Sequence, residues 1–269
     1  MNQILTTRAV DLHTWEQAER ERSAFEAART RAEDAALREC ENNVARYLNP
    51  PAETPYPLEY AYHLLGDVRG KQVLDFGCGT GDNTLLLARR GAQVQAVDIS
   101  PELIEIGRRR LSVNGIDSGV RFITASVYDI PLEDESVDVI FGIAILHHLE
   151  LPLAVREAKR ILRKGGRAIF KEPVRNSATL DFVRSLIPYR APDVSPFERP
   201  LRDAELEEFA SGFASYRARS FYLPYIGVAG LLPVARNYVK PLVRFDQRLL
   251  RRFPRLEYYA TVKVIELVK

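Results

Sequence analysis

The stretch VLDFGCGTGDNT, residues 73–84, places three glycines at alternate positions directly after a short apolar run. The apolar run is typical of a buried strand, and the residues from Asp82 onward are typical of a helix start. Because Gly77, Gly79 and Gly81 carry no Cβ, the backbone can curve tightly there and approach a ligand closely. The N–H groups at the start of the following helix favour a negatively charged group. We therefore expect a ligand at this turn.

Strand-like and helix-like segments alternate after that turn. The apolar runs VQAVDI, VRFITAS, VDVIFGI and RAIFKE are separated by helical segments with starts such as Ser100-Pro101 and stops such as Gly91 and Gly165. Strands that are apolar on both faces call for a parallel sheet covered by helices on both sides. The closing stretch ATVKVIELVK alternates, as an antiparallel edge strand does. We predict a doubly wound α/β fold with a mostly parallel sheet and an antiparallel edge strand.

Composition divides the chain into four segments. Residues 11–48 are dense in Glu, Arg and Ala, which indicates an amphipathic helix that needs a partner surface; a homo-oligomer through this helix is one way to supply it. The prolines of LNPPAETPYP indicate a linker. The predicted units are a helical extension with linker (1–57), the core (58–174), a lid or insertion (175–257) and the final strand (258–269).

Bulk properties exclude several classes of protein. With 269 residues, 28% charged residues and a net charge of +2, the chain shows no overall bias toward nucleic acid or membrane. Two cysteines, Cys40 and Cys78, are too few for a disulfide framework, and the N-terminus lacks a signal-peptide pattern. The longest apolar stretch, residues 225–235, is too short to span a bilayer. We expect a cytoplasmic protein.

The spacing of the glycines separates two ligand classes. Asp98, at the end of the second strand, lies where a carboxylate can accept both hydroxyls of a ribose. Dinucleotide-binding domains space their glycines G-x-G-x-x-G, and the third glycine lets the helix approach the sheet below a pyrophosphate. Here the glycines run G-x-G-x-G and Asp82 takes the place of that third glycine. The pattern argues against a pyrophosphate.

At this point the sequence resembles the class I S-adenosylmethionine-dependent methyltransferases, whose first motif, hydrophobic-L-D-x-G-x-G-x-G, is matched by VLDFGCGTG. The resemblance extends to Asp98, to DIPLEDESVDVIFGIAILHHL and to LRKGGRAIF, and covers roughly residues 56–174. The likeness is greatest to small-molecule enzymes of the ubiquinone and menaquinone biosynthesis kind. It implies S-adenosyl-L-methionine as cofactor, a seven-stranded Rossmann-like sheet and no metal.

The resemblance also implies roles for individual residues. Gly77 and Gly79 line the methionine half of the cofactor, Asp98 holds the ribose and Ile99 packs on the adenine. Many relatives have an acidic residue after the third strand, where this chain has Ser126, so a weaker hydroxyl acceptor or only a backbone contact is expected there. The implied cofactor-binding set is Asp75, Gly77, Cys78, Gly79, Asn83, Asp98, Ile99, Ser126, Val127, Gly142 and Ile143. Within it, Asp75 contacts the ligand or orders the turn, and Cys78 fills space rather than acting as a nucleophile.

Candidate catalytic residues lie after the fourth strand and before the first. His147 and His148 follow the fourth strand, beside the expected sulfonium. We expect one of them to face the pocket, with His147 preferred, and the alternative is that both only order the turn. Tyr60, or Tyr56, lies where relatives close over the cofactor, although aromatic packing explains them equally well. Glu172 ends the fifth strand and could reach the substrate.

These observations together predict a methyltransferase that acts on a small, lipophilic molecule. The alternatives are methylation of RNA or protein, and a scaffold that keeps the cofactor fold without catalysis. The chain lacks a basic, aromatic-interleaved module and an Asn-Pro motif after the fourth strand, so we expect no nucleic-acid partner.

One further pattern falls in residues 231–255. A basic row repeats every fourth residue, and an apolar row follows at i, i+4, i+7 and i+11. We predict that the apolar row roofs the substrate pocket while the basic row faces outward, toward an anionic membrane surface; the alternative is an ordinary lid helix with a solvated face. The basic row consists of Arg236, Lys240, Arg244, Arg248 and Arg252. The apolar row consists of Tyr238, Leu242, Phe245 and Leu249.

Overall fold

The computed structural model describes residues 12–30, 33–185, 199–231 and 233–269. A seven-stranded sheet has the order β3-β2-β1-β4-β5-β7-β6, and only β7 runs antiparallel to its neighbours. The predicted seven-stranded, mostly parallel sheet with an antiparallel closing strand is confirmed, but β6 is the outermost strand and β7 lies beside it, between β5 and β6. The strands are β1 (Gln72–Phe76), β2 (Gln93–Asp98), β3 (Val120–Thr124), β4 (Val137–Ile143), β5 (Leu162–Pro173), β6 (Ser215–Phe221) and β7 (Val262–Val268).

Eleven α-helices occur among the described residues. They are α1 (Leu12–Arg29), α2 (Asp34–Leu37), α3 (Glu41–Leu48), α4 (Pro57–Leu65), α5 (Asp82–Arg89), α6 (Pro101–Val113), α7 (Leu151–Ile161), α8 (Ala178–Ser185), α9 (Asp203–Ala210), α10 (Pro224–Leu231) and α11 (Val239–Arg252). Three 3₁₀ segments, Leu146–His148, Pro233–Tyr238 and Pro254–Tyr259, complete the connections.

The sheet separates two hydrophobic cores because successive strand residues point to opposite faces. Val73 and Ile169 belong to the core under α4 and α5, whereas their neighbours Leu74 and Phe170 belong to the core under α7 and α9. All four side chains are fully buried. Burial on both faces explains why these strands are apolar throughout rather than alternating.

Local sequence signals fix the helix ends that position the site. The Ser100 hydroxyl caps α6 by accepting the N–H of Leu103, and Pro101 occupies the first turn. Gly66 ends α4 with a φ of 60°. These ends agree with the positions that the sequence predicts.

The helix expected over residues 11–48 is divided into α1, α2 and α3.

The range 175–257, which the sequence pattern predicts as a lid or insertion, is also divided. It contains β6, which pairs with β7 as a member of the main sheet. Most of β6 is exposed or half-buried, and its sequence SYRARSF has little apolar content, so hydrophobic patterning does not reveal it. The chain between these two strands, residues 222–261, carries α10 and α11.

The predicted orientation of the 231–255 segment is wrong for its apolar row only. The basic row is exposed as predicted at Lys240, Arg244, Arg248 and Arg252, while the side chain of Arg236 lies outside the described residues. Tyr238 and Phe245, from the apolar row, are 65% and 52% exposed, so that row does not roof a pocket. The face of α11 that packs inward is the neighbouring one, and Asp246 on that face accepts the backbone N–H groups of Tyr222 and Leu223. A polar anchor therefore holds α11 against the end of β6. The buried residues are Val243, Asp246, Gln247 and Leu250.

Over the described residues, the search for a helix both long and apolar enough to traverse a bilayer finds none.

Candidate active site

The glycine turn lies at the carboxyl end of β1 in a left-handed conformation. Gly77, Gly79 and Gly81 have φ values of 79°, 50° and 79°, which L side chains rarely adopt. A Cβ on Gly81 would lie 2.9 Å from the Cα of Gly107, so the third glycine lets α5 approach α6. A Cβ on Gly79 would meet open space. The turn thus combines tight helix packing with a bare backbone toward a ligand.

Asp98 joins this turn to the end of β2. Its Oδ2 accepts the N–H of Gly79 at 2.8 Å and its Oδ1 accepts the N–H of Ser100 at 2.9 Å. Burial raises the pKa of the Asp98 carboxyl, and the two N–H bonds oppose that rise. Each oxygen retains a second acceptor position, and the carboxylate lines a cavity between the glycine turn and α1. This geometry can accept the two hydroxyls of a ribose.

The cavity runs from Asp98 toward the end of β4. Gly77, Ile99, Ser126 and Val127 from the predicted cofactor set line it together with Asp98. The bare turn, the ribose acceptor and the adjoining apolar wall fit a nucleoside cofactor such as S-adenosylmethionine.

Other members of the predicted set lie beneath the cavity. Asp75 is buried and accepts the hydroxyl of Thr84 at 2.6 Å, and burial raises the pKa of the Asp75 carboxyl to about 7. Asn83 accepts the hydroxyl of Tyr62 at 3.0 Å. Cys78 packs in the core under α4 and α5, where burial raises the pKa of its thiol well above its ordinary value. Asp75 and Asn83 therefore support the turn from below, and the Cys78 thiol stays protonated.

Ile145 covers the end of β4. A Cβ on Gly77 would lie 2.5 Å from its Cδ1, and a Cβ on Gly142 would lie 3.0 Å from its Cγ2. The side chain of Ile145 therefore lies against both glycines and lines the cavity, whereas Gly142 and Ile143 of the predicted set do not line it. Ala144, with a φ of 56°, makes the sharp bend that brings Ile145 over the turn.

His147 and Glu172 form a buried pair. The Nδ1 of His147 lies 2.8 Å from Oε2 of Glu172, while Oε1 accepts the N–H groups of Ile145 and Leu146 at 3.0 and 2.9 Å. A carboxylate can only accept, so Nδ1 carries the proton and the basic lone pair of the ring is on Nε2. Glu172 therefore acts from behind His147, orienting both the ring and the 3₁₀ turn.

The two adjacent histidines line different spaces. His148 lines the cofactor cavity, whereas His147 lines an open groove between α7 and α9. The preference for His147 as the residue facing the cofactor pocket thus differs from the structure. In the 3₁₀ turn the two rings lie side by side with centroids 4.1 Å apart, and Trp15 and Leu149 line both spaces. The groove consequently opens beside the cavity.

Helix α1 forms a wall of the cavity that sequence reasoning missed. The indole N–H of Trp15 donates to the carbonyl oxygen of His148, and Oε2 of Glu19 lies 3.4 Å from the Nδ1 of that histidine. Glu19 and Ser23 are buried. The sequence does carry a signal for this wall, because polar residues follow Trp15 at positions i+4, i+7 and i+8 and so share its face of the helix. A search for hydrophobic periodicity does not detect a polar face of this kind. The lining residues from α1 are Trp15, Glu16, Glu19, Arg22 and Ser23.

The predicted tyrosines lie elsewhere. Tyr60 packs against Phe221 with ring centroids 5.7 Å apart, and the guanidinium of Arg219 lies 4.6 Å from its ring centroid. Arg46 lies 4.7 Å from the ring centroid of Tyr56 in the same way. Neither tyrosine lines the cavity or the groove. Cation–π packing between α3, α4 and β6 accounts for both.

Comparisons with known proteins agree with this geometry. A model of the methyltransferase domain matches residues 74–170. A ubiquinone biosynthesis O-methyltransferase of Xanthomonas oryzae pv. oryzae (strain PXO99A) is 32% identical over 173 residues, covering 58% of this chain and 70% of that protein. A demethylmenaquinone methyltransferase of Clavibacter sepedonicus is 36% identical over 106 residues, covering 39% of this chain and 42% of that protein.

A solved structure supports the fold. The geranyl diphosphate C-methyltransferase from Streptomyces coelicolor A3(2), in complex with Mg²⁺, geranyl diphosphate and S-adenosyl-L-homocysteine, superposes with a TM-score of 0.56 at 17% identity and covers 82% of this chain and 86% of that chain. The relatives are small-molecule enzymes, which favours that reading over an RNA or protein methyltransferase and over a scaffold. S-adenosylmethionine is the cofactor. The chain belongs to the class I S-adenosylmethionine-dependent methyltransferases.

Proposed function

We propose that the enzyme methylates a small, largely apolar molecule whose nucleophilic atom carries a proton, and that His147 accepts this proton. The observation that carries the proposal is the 2.8 Å contact between His147 Nδ1 and Glu172, which fixes the ring proton on Nδ1 and leaves the proton-accepting lone pair on Nε2. Histidine is the commonest general base because its ordinary pKa lies near neutral pH.

The groove beside His147 supplies a place for an apolar substrate. Leu149, Leu151, Leu201 and Phe209 line it near the histidine, while the ion pair between Arg199 and Glu205 lies along its rim. Relatives named for ubiquinone biosynthesis and a structural neighbour bound to geranyl diphosphate support a lipophilic substrate class.

The residues of the cavity hold and orient the reactants. S-adenosylmethionine would supply an electrophilic methyl group on a sulfonium, and in-line attack on that methyl carbon would release S-adenosylhomocysteine as the leaving group. Asp98 would hold its ribose, and Ile99 and Val127 would flank its adenine. Alignment of the two reactants contributes up to roughly 7 to 11 kcal/mol to such a displacement. Trp15 and Leu149, at the junction of cavity and groove, exclude water from the path between them.

The proposal is tested by product discovery followed by variant kinetics. A metabolite extract is incubated with the enzyme and a trideuteromethyl cofactor, and mass spectrometry identifies the labelled product. On that substrate, His147→Ala should lower kcat by about 10²-fold or more with cofactor affinity unchanged. Glu172→Gln keeps the size of the side chain but replaces one of its two acceptor oxygens with an NH2 donor, so it cannot accept both from Nδ1–H and from the backbone N–H groups of Ile145 and Leu146. It also removes the negative charge behind the ring, so it should lower kcat and alter its pH profile.

His148→Ala is the matched control. Because His148 lines the cofactor cavity, its loss should change cofactor affinity more than kcat. A kcat for His147→Ala within about threefold of the parent enzyme would remove His147 as the base.

We further propose a cytoplasmic enzyme that meets its substrate at a membrane surface through residues within 231–255. The two cysteines are unpaired, with Cys40 exposed and Cys78 buried, which fits a reducing compartment. The main argument for a homo-oligomer was that the N-terminal helix needs a surface to pack on. That argument no longer holds, because α1 packs on its own chain.

A further inference from the structure

Exposed apolar side chains are concentrated between β6 and β7. Of the eleven large hydrophobic residues that are exposed among the described side chains, eight lie within residues 228–259. Their exposed fractions reach 80% for Leu231 and 83% for Val234. Single exposed apolar residues are ordinary, but a concentration of them marks an interaction surface.

The outward face of α11 adds positive charge to this surface. Phe245, Arg248 and Arg252 are spaced by three and four residues and so lie on one face, opposite the buried face. Arg244 and Arg248 have no ion-pair partner among the described residues. The only acid of the helix, Asp246, is fully buried. The exposed part of α11 therefore carries basic and aromatic groups and no carboxylate.

Helix α10 supplies the apolar part of the same surface. Its sequence, PYIGVAGL, contains no charged residue, and Val228 and Leu231 are exposed. Val234 follows in the 3₁₀ segment, which packs against both α10 and α11. Because the three elements contact one another, we treat their exposed groups as one patch, with apolar side chains from α10 and the 3₁₀ segment and basic side chains from α11.

We propose that this patch docks the enzyme on an anionic lipid bilayer, with Leu231, Val234 and Phe245 entering the interface while Arg244, Arg248 and Arg252 contact lipid phosphates. Protruding aliphatic side chains interleaved with arginines suit a bilayer surface, which accepts both without shape complementarity. The inference is independent of the identity of the methylated molecule. A second copy of the chain is a poorer occupant, because it would bring the arginine row against its own like charge.

Co-sedimentation of the full chain with vesicles tests the proposal. Vesicles of phosphatidylcholine with phosphatidylglycerol should pellet the protein at low salt, binding should weaken as salt rises, and phosphatidylcholine alone should bind far less. Combining Arg244→Glu, Arg248→Glu and Arg252→Glu should lower the partition coefficient at least about 100-fold, because each lost basic residue costs roughly fivefold and each added carboxylate is repelled by the anionic surface. Leu231→Ser with Phe245→Ser should abolish the binding that persists at high salt.

A matched variant controls for net charge. Lys71→Glu, Arg121→Glu and Lys164→Glu change the charge equally, but these exposed residues lie at the amino ends of strands, at the opposite edge of the sheet from the cofactor turn. This variant should keep its binding within about threefold, since distant charges are screened beyond roughly 10 Å. Absence of pelleting with anionic vesicles, or an equal loss in both charge variants, overturns the proposal. A solution dimer that only the α11 variant dissociates, without vesicle binding, would assign the patch to a second copy instead.

Discussion

Replacing Asp98 with alanine tests whether the carboxyl end of β2 holds the ribose of the cofactor. The carboxylate lines the cavity, and each of its oxygens accepts one backbone N–H, which fixes its orientation before a ligand arrives. A hydrogen bond to a charged group contributes about 1.5 to 3 kcal/mol. Asp98→Ala should therefore weaken binding of S-adenosylhomocysteine by roughly 10- to 150-fold in isothermal titration.

Asp82→Ala is the matched control for a lost carboxylate in the same turn. Asp82 is half-exposed, forms an ion pair with Arg110 at 3.0 Å and does not line the cavity. Its replacement should leave affinity within about twofold of the parent value, in keeping with the small contribution of exposed ion pairs.

The ligand provides the second half of the cycle. With a 2′,3′-dideoxyribose analogue of S-adenosylhomocysteine, the loss caused by Asp98→Ala should largely disappear, because the interaction is already absent. An equal loss with both ligands, or unchanged affinity for the parent ligand, would refute the assignment of Asp98 to the ribose.

Two further predictions concern stability. Because the folded pKa of Asp75 is about 7 against an ordinary 3.8, folding takes up a proton between these pH values, so the free energy of unfolding should fall by up to about 4 kcal/mol as pH rises from 4 to 7. In thermal melts, Asp75→Asn should raise the Tm above that of the parent protein at pH 8 but not at pH 4. The same change in Tm at both pH values would contradict burial of an ionisable Asp75. Gly81→Ala should cost about 1 to 3 kcal/mol more in urea denaturation than Gly70→Ala. Both glycines have a positive φ, but of the two only Gly81 has a backbone atom, Gly107 Cα, within 3 Å of the added Cβ. Equal losses in the free energy of unfolding would mean that backbone strain alone causes the destabilisation.

The core of the fold follows from local signals in the sequence. Residues such as Val73 and Leu74 are apolar at successive positions because both faces of the sheet are covered, and Ser100 and Gly66 mark helix ends through bonds within a few residues of themselves. Asp98 could be placed for the same reason, since a strand end and a glycine turn fix its surroundings.

The parts that sequence reasoning misses are those whose buried faces are polar. Glu19 and Ser23 of α1, and Asp246 and Gln247 of α11, are buried, so the hydrophobic periodicity of these helices does not report which face packs inward. The choice between the two histidines fails for a related reason. Residues 146–148 form a 3₁₀ turn whose orientation depends on the buried carboxylate of Glu172, a residue more than twenty positions away, so local sequence does not show which ring faces the cofactor cavity.

The wall that α1 contributes to the cavity has a thermodynamic consequence. A ligand that contacts α1 and the sheet together binds the docked helix and not the detached one, so binding stabilises docking by RT ln(1 + [L]/Kd). At a hundredfold excess over Kd this amounts to about 2.7 kcal/mol, delivered to a helix whose own contacts are largely polar. By the same linkage, a change that weakens the docking of α1 should also weaken the apparent affinity for the ligand. Ligand binding in the cavity should therefore favour the docked state of α1, a helix far from the glycine turn in the sequence.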